Sequence, residues 1–129
     1  MNFLELKAKD NFEIAKIAEK RKYFDVAVSR YYYYLYQNLM NYLFLRGETI
    51  EKKEQNKHIN TIGKFIEIIK NEGNYEKQRS ITKLWRLKDR RHDSDYKKEK
   101  KIKDYTEFDK IFKRDYNDVE NAFNSLNVI

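Results

Sequence analysis

Phe24-Asp25-Val26-Ala27-Val28-Ser29-Arg30-Tyr31-Tyr32-Tyr33-Tyr34-Leu35-Tyr36-Gln37-Asn38-Leu39-Met40-Asn41-Tyr42-Leu43-Phe44-Leu45-Arg46 is the stretch on which the fold turns. Within it Ala27, Tyr31, Tyr34, Leu35, Tyr42 and Leu45 recur at spacings of three and four, the period of a helix with one apolar stripe. Gly47 follows directly, and glycine readily takes the left-handed backbone that closes a helix. The spacing predicts one long helix from about residue 24 to 46.

Working outward, Leu4, Ala8, Ile14, Ile17 and Ala18 fall near one face of a helical wheel, so residues 3 to 20 read as a first helix with Lys and Glu opposite. Residues 48 to 57 are polar, show no period and read as a loop. Ile59, Ile62, Ile66 and Ile69 then predict a third helix over 58–71, in which Gly63 permits close helix contact. A fourth helix is expected over 76–97, with Ile81, Leu84, Trp85 and Leu87 inward and Lys83, Arg86, Arg90 and Arg91 around the exposed side. A lysine-rich connector, KKEKKIKD at 97–104, leads to a fifth helix carried by Tyr105, Phe108, Phe112, Val119, Ala122, Phe123 and Leu126, with Asp104 and Glu107 placed as a capping box.

Proline is absent and glycine occurs only at 47, 63 and 73, so little interrupts regular backbone. The expectation is an all-α, single-domain bundle of about five helices spanning residues 1–129, with no internal repeat. Aromatic residues make up 16% of the chain, enough to build a core and to argue against disorder. With no cysteine, disulfides and thiolate zinc sites are excluded, and only His58 and His92 could bind a transition metal, so no cofactor is expected. The first twenty residues mix charges among their apolar positions and no stretch reads as a membrane span; the expectation is a soluble, cytoplasmic protein.

The chain carries a net charge of +7, and it is concentrated. Residues 77 to 103 hold twelve Lys or Arg against Asp89, Asp93, Asp95 and Glu99, a surplus of eight that leaves the rest of the chain near neutrality. Such a segment suits a polyanion, with nucleic acid the leading candidate; the competing reading is a solvated helix end.

Two segments resemble the HEPN family of small helical proteins. Ala27-Val28-Ser29-Arg30-Tyr31-Tyr32-Tyr33-Tyr34-Leu35-Tyr36 is similar to the Ser-Arg-x-Tyr-Tyr stretch of many prokaryotic members, and Arg91-His92-Asp93-Ser94-Asp95-Tyr96 to the family's Arg-x-x-small-Asp-Tyr segment. His58 stands where members often begin their third helix. The resemblance implies a homodimeric RNA-binding effector whose fourth helices line a basic cleft, acting without metal as an endoribonuclease of a toxin–antitoxin or antiviral defence system. The alternative it implies is a non-catalytic nucleotide-binding or accessory partner, either of a nucleotidyltransferase antitoxin or of a larger nucleoprotein complex.

Cleaving RNA by attack of its own 2′-hydroxyl needs a base, an acid for the leaving oxygen and positive charge on the phosphorane; histidine supplies the first two and arginine the last. On this basis Arg91, His92 and Tyr96 are the expected catalytic residues, and Arg86, Lys88, Arg90, Asp95, Arg30 and Lys97 the expected RNA or nucleotide contacts. The sequence departs from the catalytic pattern, because four residues intervene between Arg91 and Tyr96, where nuclease members place histidine. Tyrosine, with an ordinary pKa of about 10, is a poor base at neutral pH. Arg86 and His92 would share a helix face only if the helix broke near Asp89. Arg91 and Asp95, four apart, also read as a plain helical ion pair, His92 as a surface histidine, His58 as a helix-start residue and Trp85 as core. The tyrosine run points to every side of its helix and reads chiefly as core and interface.

Overall fold

A computed structural model describes residues 2–49, 56–97 and 101–129. Its elements are α1 (Phe3–Lys20), α2 (Phe24–Leu45), α3 (Lys57–Asn71), α4 (Tyr75–Ile81), α5 (Leu84–Tyr96), α6 (Tyr105–Phe108), a π-helical turn (Asp109–Lys113) and α7 (Arg114–Ser125). The all-helical fold class is as the periodicity predicts, and no strand occurs among the described residues. None of these helices is long and apolar enough to cross a membrane.

The first hairpin is set by a short turn. Lys22 takes left-handed backbone (φ 64°), its N–H reaching the Glu19 carbonyl while that of Tyr23 reaches Ala18, so α2 must fold back antiparallel along α1. Polar rungs fix the register. Asn41 pairs with Asn2 and Glu5 near one end, Asn11 with Gln37 at 2.8 Å midway, and Tyr31 with Glu19 at 2.8 Å near the turn. Ala8, Asn11, Ala15 and Ala18 form the buried face of α1. These small side chains allow the close approach of α2. Ile14 and Ile17, expected inside, are instead exposed.

Helix α2 runs through the centre, and Tyr31, Tyr32, Leu35, Leu39 and Leu43 are all buried. Tyr34 and Tyr42 are only partly buried, and Leu45, expected in the stripe, is exposed. An aromatic column runs along the last helical segment. Phe24 stacks on Phe108 (5.1 Å between centroids), Phe108 on Phe112 and Phe112 on Tyr116 (6.0 Å each), while Tyr116 meets Tyr31 at 4.6 Å. Asp104 caps α6 as expected, accepting from Glu107 N at 2.8 Å. Ile102, inside the lysine-rich connector, is buried, and its N–H donates to Asp25 at 3.3 Å. The connector is thereby tied to the first turn of α2; its residues 98–100 lie outside the described ones.

The expected fourth helix is broken. Thr82 and Lys83 separate α4 from α5, with Thr82 Oγ1 donating to the Arg79 carbonyl at 2.7 Å. Trp85 is half-buried against the core, and a Cβ added to Gly63 would lie 4.0 Å from its ring, an ordinary contact. The π turn interrupts the fifth helix and points Lys113 at Glu19, which also accepts from Tyr31 and Tyr105. Burial would raise the Glu19 carboxyl, but hydrogen bonds from Lys113 and Tyr31 and the lysine's charge outweigh it and hold the carboxyl below its usual value. A carboxyl shifted this way contributes stability above its unfolded-state pKa and loses it as pH falls through the folded one. Glu19→Gln is expected to cost about 1–3 kcal/mol at neutral pH, because Lys113 keeps its charge without its partner. The difference from the parent should shrink at acid pH in chemical denaturation; a constant difference would show that the charge is irrelevant.

Candidate functional site

Helix α5 has one apolar stripe, and its last members are charged. Leu84 and Leu87 are buried, and Arg91 and Asp95 continue the same three- and four-residue spacing. Arg91 is therefore not on the exposed side, where its charge predicts it; it lies on the face turned to α2, its side chain only 11% exposed. The guanidinium carbon sits 5.3 Å from the Tyr32 ring centre and 5.5 Å from that of Tyr33, within cation–π range of both. Asp95 approaches from the next turn at 3.7 Å, a loose ion pair. Nε of Arg91 is buried without a hydrogen-bond partner.

Helix α3 brings His58 to the same place. The imidazole stacks on Tyr36 (4.0 Å between centroids, planes 3° apart), and its Nδ1 lies 2.7 Å from the Tyr32 hydroxyl. Burial pushes the Tyr32 phenol well above its ordinary value, although Arg91 opposes this, so the phenol stays protonated and donates to Nδ1. Burial, reinforced by the charges of Arg91, Lys88 and Lys57, lowers His58 to about 4. At neutral pH the ring is therefore uncharged, and with Nδ1 accepting from Tyr32 it carries its proton on Nε2. Close by, the Tyr36 and Thr61 hydroxyls are both buried, and neither makes a well-formed hydrogen bond.

The other expected site residues disperse. Helix α5 does not break at Asp89, so Arg86 and His92 lie on different faces; Arg86 pairs with Asp115 of α7 at 3.1 Å. His92 and Tyr96 are exposed and lean on one another at 4.9 Å, away from the stripe that carries Arg91. Lys88 is largely covered and pairs with Asp89 at 3.3 Å, yet its charge still reaches His58. Arg90 lines a separate cleft of about 370 Å³ with Ser94, Lys101, Lys103 and Glu107, and Lys97 pairs with Asp93 at 3.2 Å. Arg30 bonds Asn11 of α1 at 3.2 Å and so turns away from Tyr32. The structure thus gathers Arg91, Asp95 and Lys88 and leaves the rest apart. Among the described residues no three His, Asp or Glu side chains cluster as a metal would need.

No family model, curated protein or solved structure matches this chain. Three cations act on one neutral imidazole over a tyrosine wall, an arrangement that attracts an anion. It does not assemble a strong base. A histidine titrating near 4 accepts protons poorly at pH 7, and its Nδ1 is already engaged by Tyr32.

The depressed His58 pKa sets a pH window for stability. Below its unfolded-state value of about 6.5 the unfolded chain takes up a proton that the folded protein refuses until about 4, so stability falls as pH drops through that interval. Partial exposure limits the loss to roughly 1–2 kcal/mol. Urea denaturation from pH 7 to pH 4 should show this slope in the parent and a flatter one in His58→Gln; equal slopes would contradict it.

Proposed function

We propose that the chain is an RNA-binding effector of the HEPN type, in which a phosphate is recognised at Arg91. The supporting observation is the Arg91 guanidinium held against the tyrosine faces of Tyr32 and Tyr33, with His58 bonded to the same Tyr32 and the charges of Lys88 and Lys57 adding to the positive field there. Planar guanidinium suits phosphate, and the stacking fixes its orientation before the ligand arrives. His58 would add a neutral N–H donor, and the lysine-rich 97–103 segment a diffuse attraction along the strand.

In this reading the protein binds RNA through its phosphates and does so without metal. The site favours binding over scission, because neither His92 nor Tyr96 lies on the stripe of Arg91 and His58 titrates too low for an efficient base. Fluorescence anisotropy with a single-stranded RNA in EDTA is expected to give an affinity that falls steeply with salt, since each phosphate contact releases counterions. Intact RNA after long incubation with excess protein would favour the non-cleaving, nucleotide-binding form of the proposal. Salt-independent binding, or none, would refute RNA as the ligand.

A further inference from the structure

The cleft beside Arg90 takes no part in the Arg91 site. Arg90 and Ser94 stand four residues apart on α5 and so share a face, about 100° round the helix from Arg91. The other wall is the segment 101–103. Ile102 is buried and its N–H is tied to Asp25, which fixes the backbone there and leaves Lys101 and Lys103 exposed on either side of it. Ile102 and Ile111 of the π turn give the recess an apolar lining, and its volume of about 370 Å³ falls within the range of small-molecule pockets.

The charges around this recess are unevenly matched. Asp93 is offset by Lys97 at 3.2 Å. Glu107 accepts from the backbone N–H of Lys103 at 3.3 Å, a neutral donor, and so keeps its negative charge. Among the described residues no ion pair or hydrogen bond engages the side chains of Arg90, Lys101 or Lys103. Three cations against the Glu107 carboxylate leave a surplus of two positive charges facing an open volume. A phosphate inside a nucleic-acid strand carries a single negative charge, whereas a phosphate monoester carries close to two at neutral pH and presents three acceptor oxygens. The monoester is the better complement. The Arg90 guanidinium suits two of its oxygens side by side, the lysines act as point charges, and the half-buried Ser94 hydroxyl adds a donor. Ile102 and Ile111 then offer an apolar surface to the organic group that the monoester carries, and Glu107 an acceptor for its hydroxyl or amino groups.

We infer that the Arg90 cleft is a site for a phosphate monoester, supplied either by the phosphorylated end of an RNA strand or by a free nucleoside monophosphate. It is separate from the Arg91 site and stands whether or not that site binds RNA.

Isoleucine-methyl NMR of the full chain in EDTA tests this, with adenosine monophosphate and adenosine as probes. The monophosphate should shift the Ile102 and Ile111 methyls saturably, and adenosine should not. Shifts confined to Ile62, one turn beyond His58 on α3, would mark the Arg91 site instead and overturn the inference. Arg90→Gln with Lys103→Gln should weaken the binding about 10- to 100-fold, as the loss of charged contacts does, with an unchanged circular dichroism spectrum because both residues are exposed. Anisotropy with one RNA bearing phosphates at both ends or at neither separates the two sources. Binding of the phosphorylated strand that is about tenfold tighter, an advantage lost in the double variant, identifies the strand end. Equal affinities together with saturable monophosphate shifts identify the free nucleotide. Equal affinities without methyl shifts, or shifts and strand preference that persist unweakened in the double variant, overturn the inference. Salt-dependent binding of the unphosphorylated strand by that variant reports on Arg91, so the failure of one site is told from the failure of the other.

Discussion

Arg91→Ala is expected to weaken RNA binding by about 10- to 100-fold at physiological salt, the loss of roughly 1–3 kcal/mol typical of one well-placed arginine contact. The fold should survive, because the substitution removes two tyrosine-face contacts and a loose pair with Asp95 but empties no part of the apolar core. Arg91→Lys should recover only part of the affinity, since an ammonium neither stacks on Tyr32 and Tyr33 nor presents a planar pair of donors. His92→Ala, on the exposed side of α5, should change affinity by no more than about twofold, since surface positions away from the contact contribute little. Anisotropy titrations of the three variants, with thermal melts as a folding control, decide the matter. Equal losses for Arg91→Ala and His92→Ala would place the contact elsewhere on the basic segment.

Tyr32→Ala is expected to be the most damaging of the site substitutions for stability. The ring is fully buried, stacks between its neighbours and supports both Arg91 and His58, so its removal should cost about 3–5 kcal/mol, as large aromatic deletions do. Tyr32→Phe keeps the ring and removes only the donor to His58 Nδ1, which should cost about 1–2 kcal/mol. Urea denaturation of both separates packing from hydrogen bonding. If the phenylalanine variant were as unstable as the alanine one, the hydroxyl and not the ring would dominate.

Much of the architecture was legible in the residue spacing, and the departures have identifiable causes. The bounds of α2 and α3 follow from apolar periodicity and from Gly47 and Gly73, which take positive φ after their helices. The break at Thr82–Lys83 was not legible, since neither residue is a strong helix breaker and the apolar stripe continues across it. Ile14 and Ile17 misled because the helix buries a narrower alanine face and leaves its larger side chains outside. Arg91 could have been placed correctly: it stands four residues after Leu87 and seven after Leu84, on the apolar stripe, and its charge alone suggested the surface. The role of His58 is different in kind. Its partners Tyr32 and Tyr36 are 26 and 22 residues away, on the far side of the expected 48–57 loop, whose residues 50–55 lie outside the described ones, so only the packed fold reveals it.

The π turn at Asp109–Lys113 carries a consequence of its own. A helix that admits one surplus residue in a single turn changes phase there, so the side chains before it are rotated relative to those after it. Phe108 lies before the phase change and Tyr116 after it, yet both belong to one aromatic column, and Phe112 and Lys113 stand within the turn itself. The spare residue therefore acts as a vernier. It sets the angle between the two ends of one rod, Phe108 docking on Phe24 at one and Tyr116 and Lys113 meeting Tyr31 and Glu19 at the other.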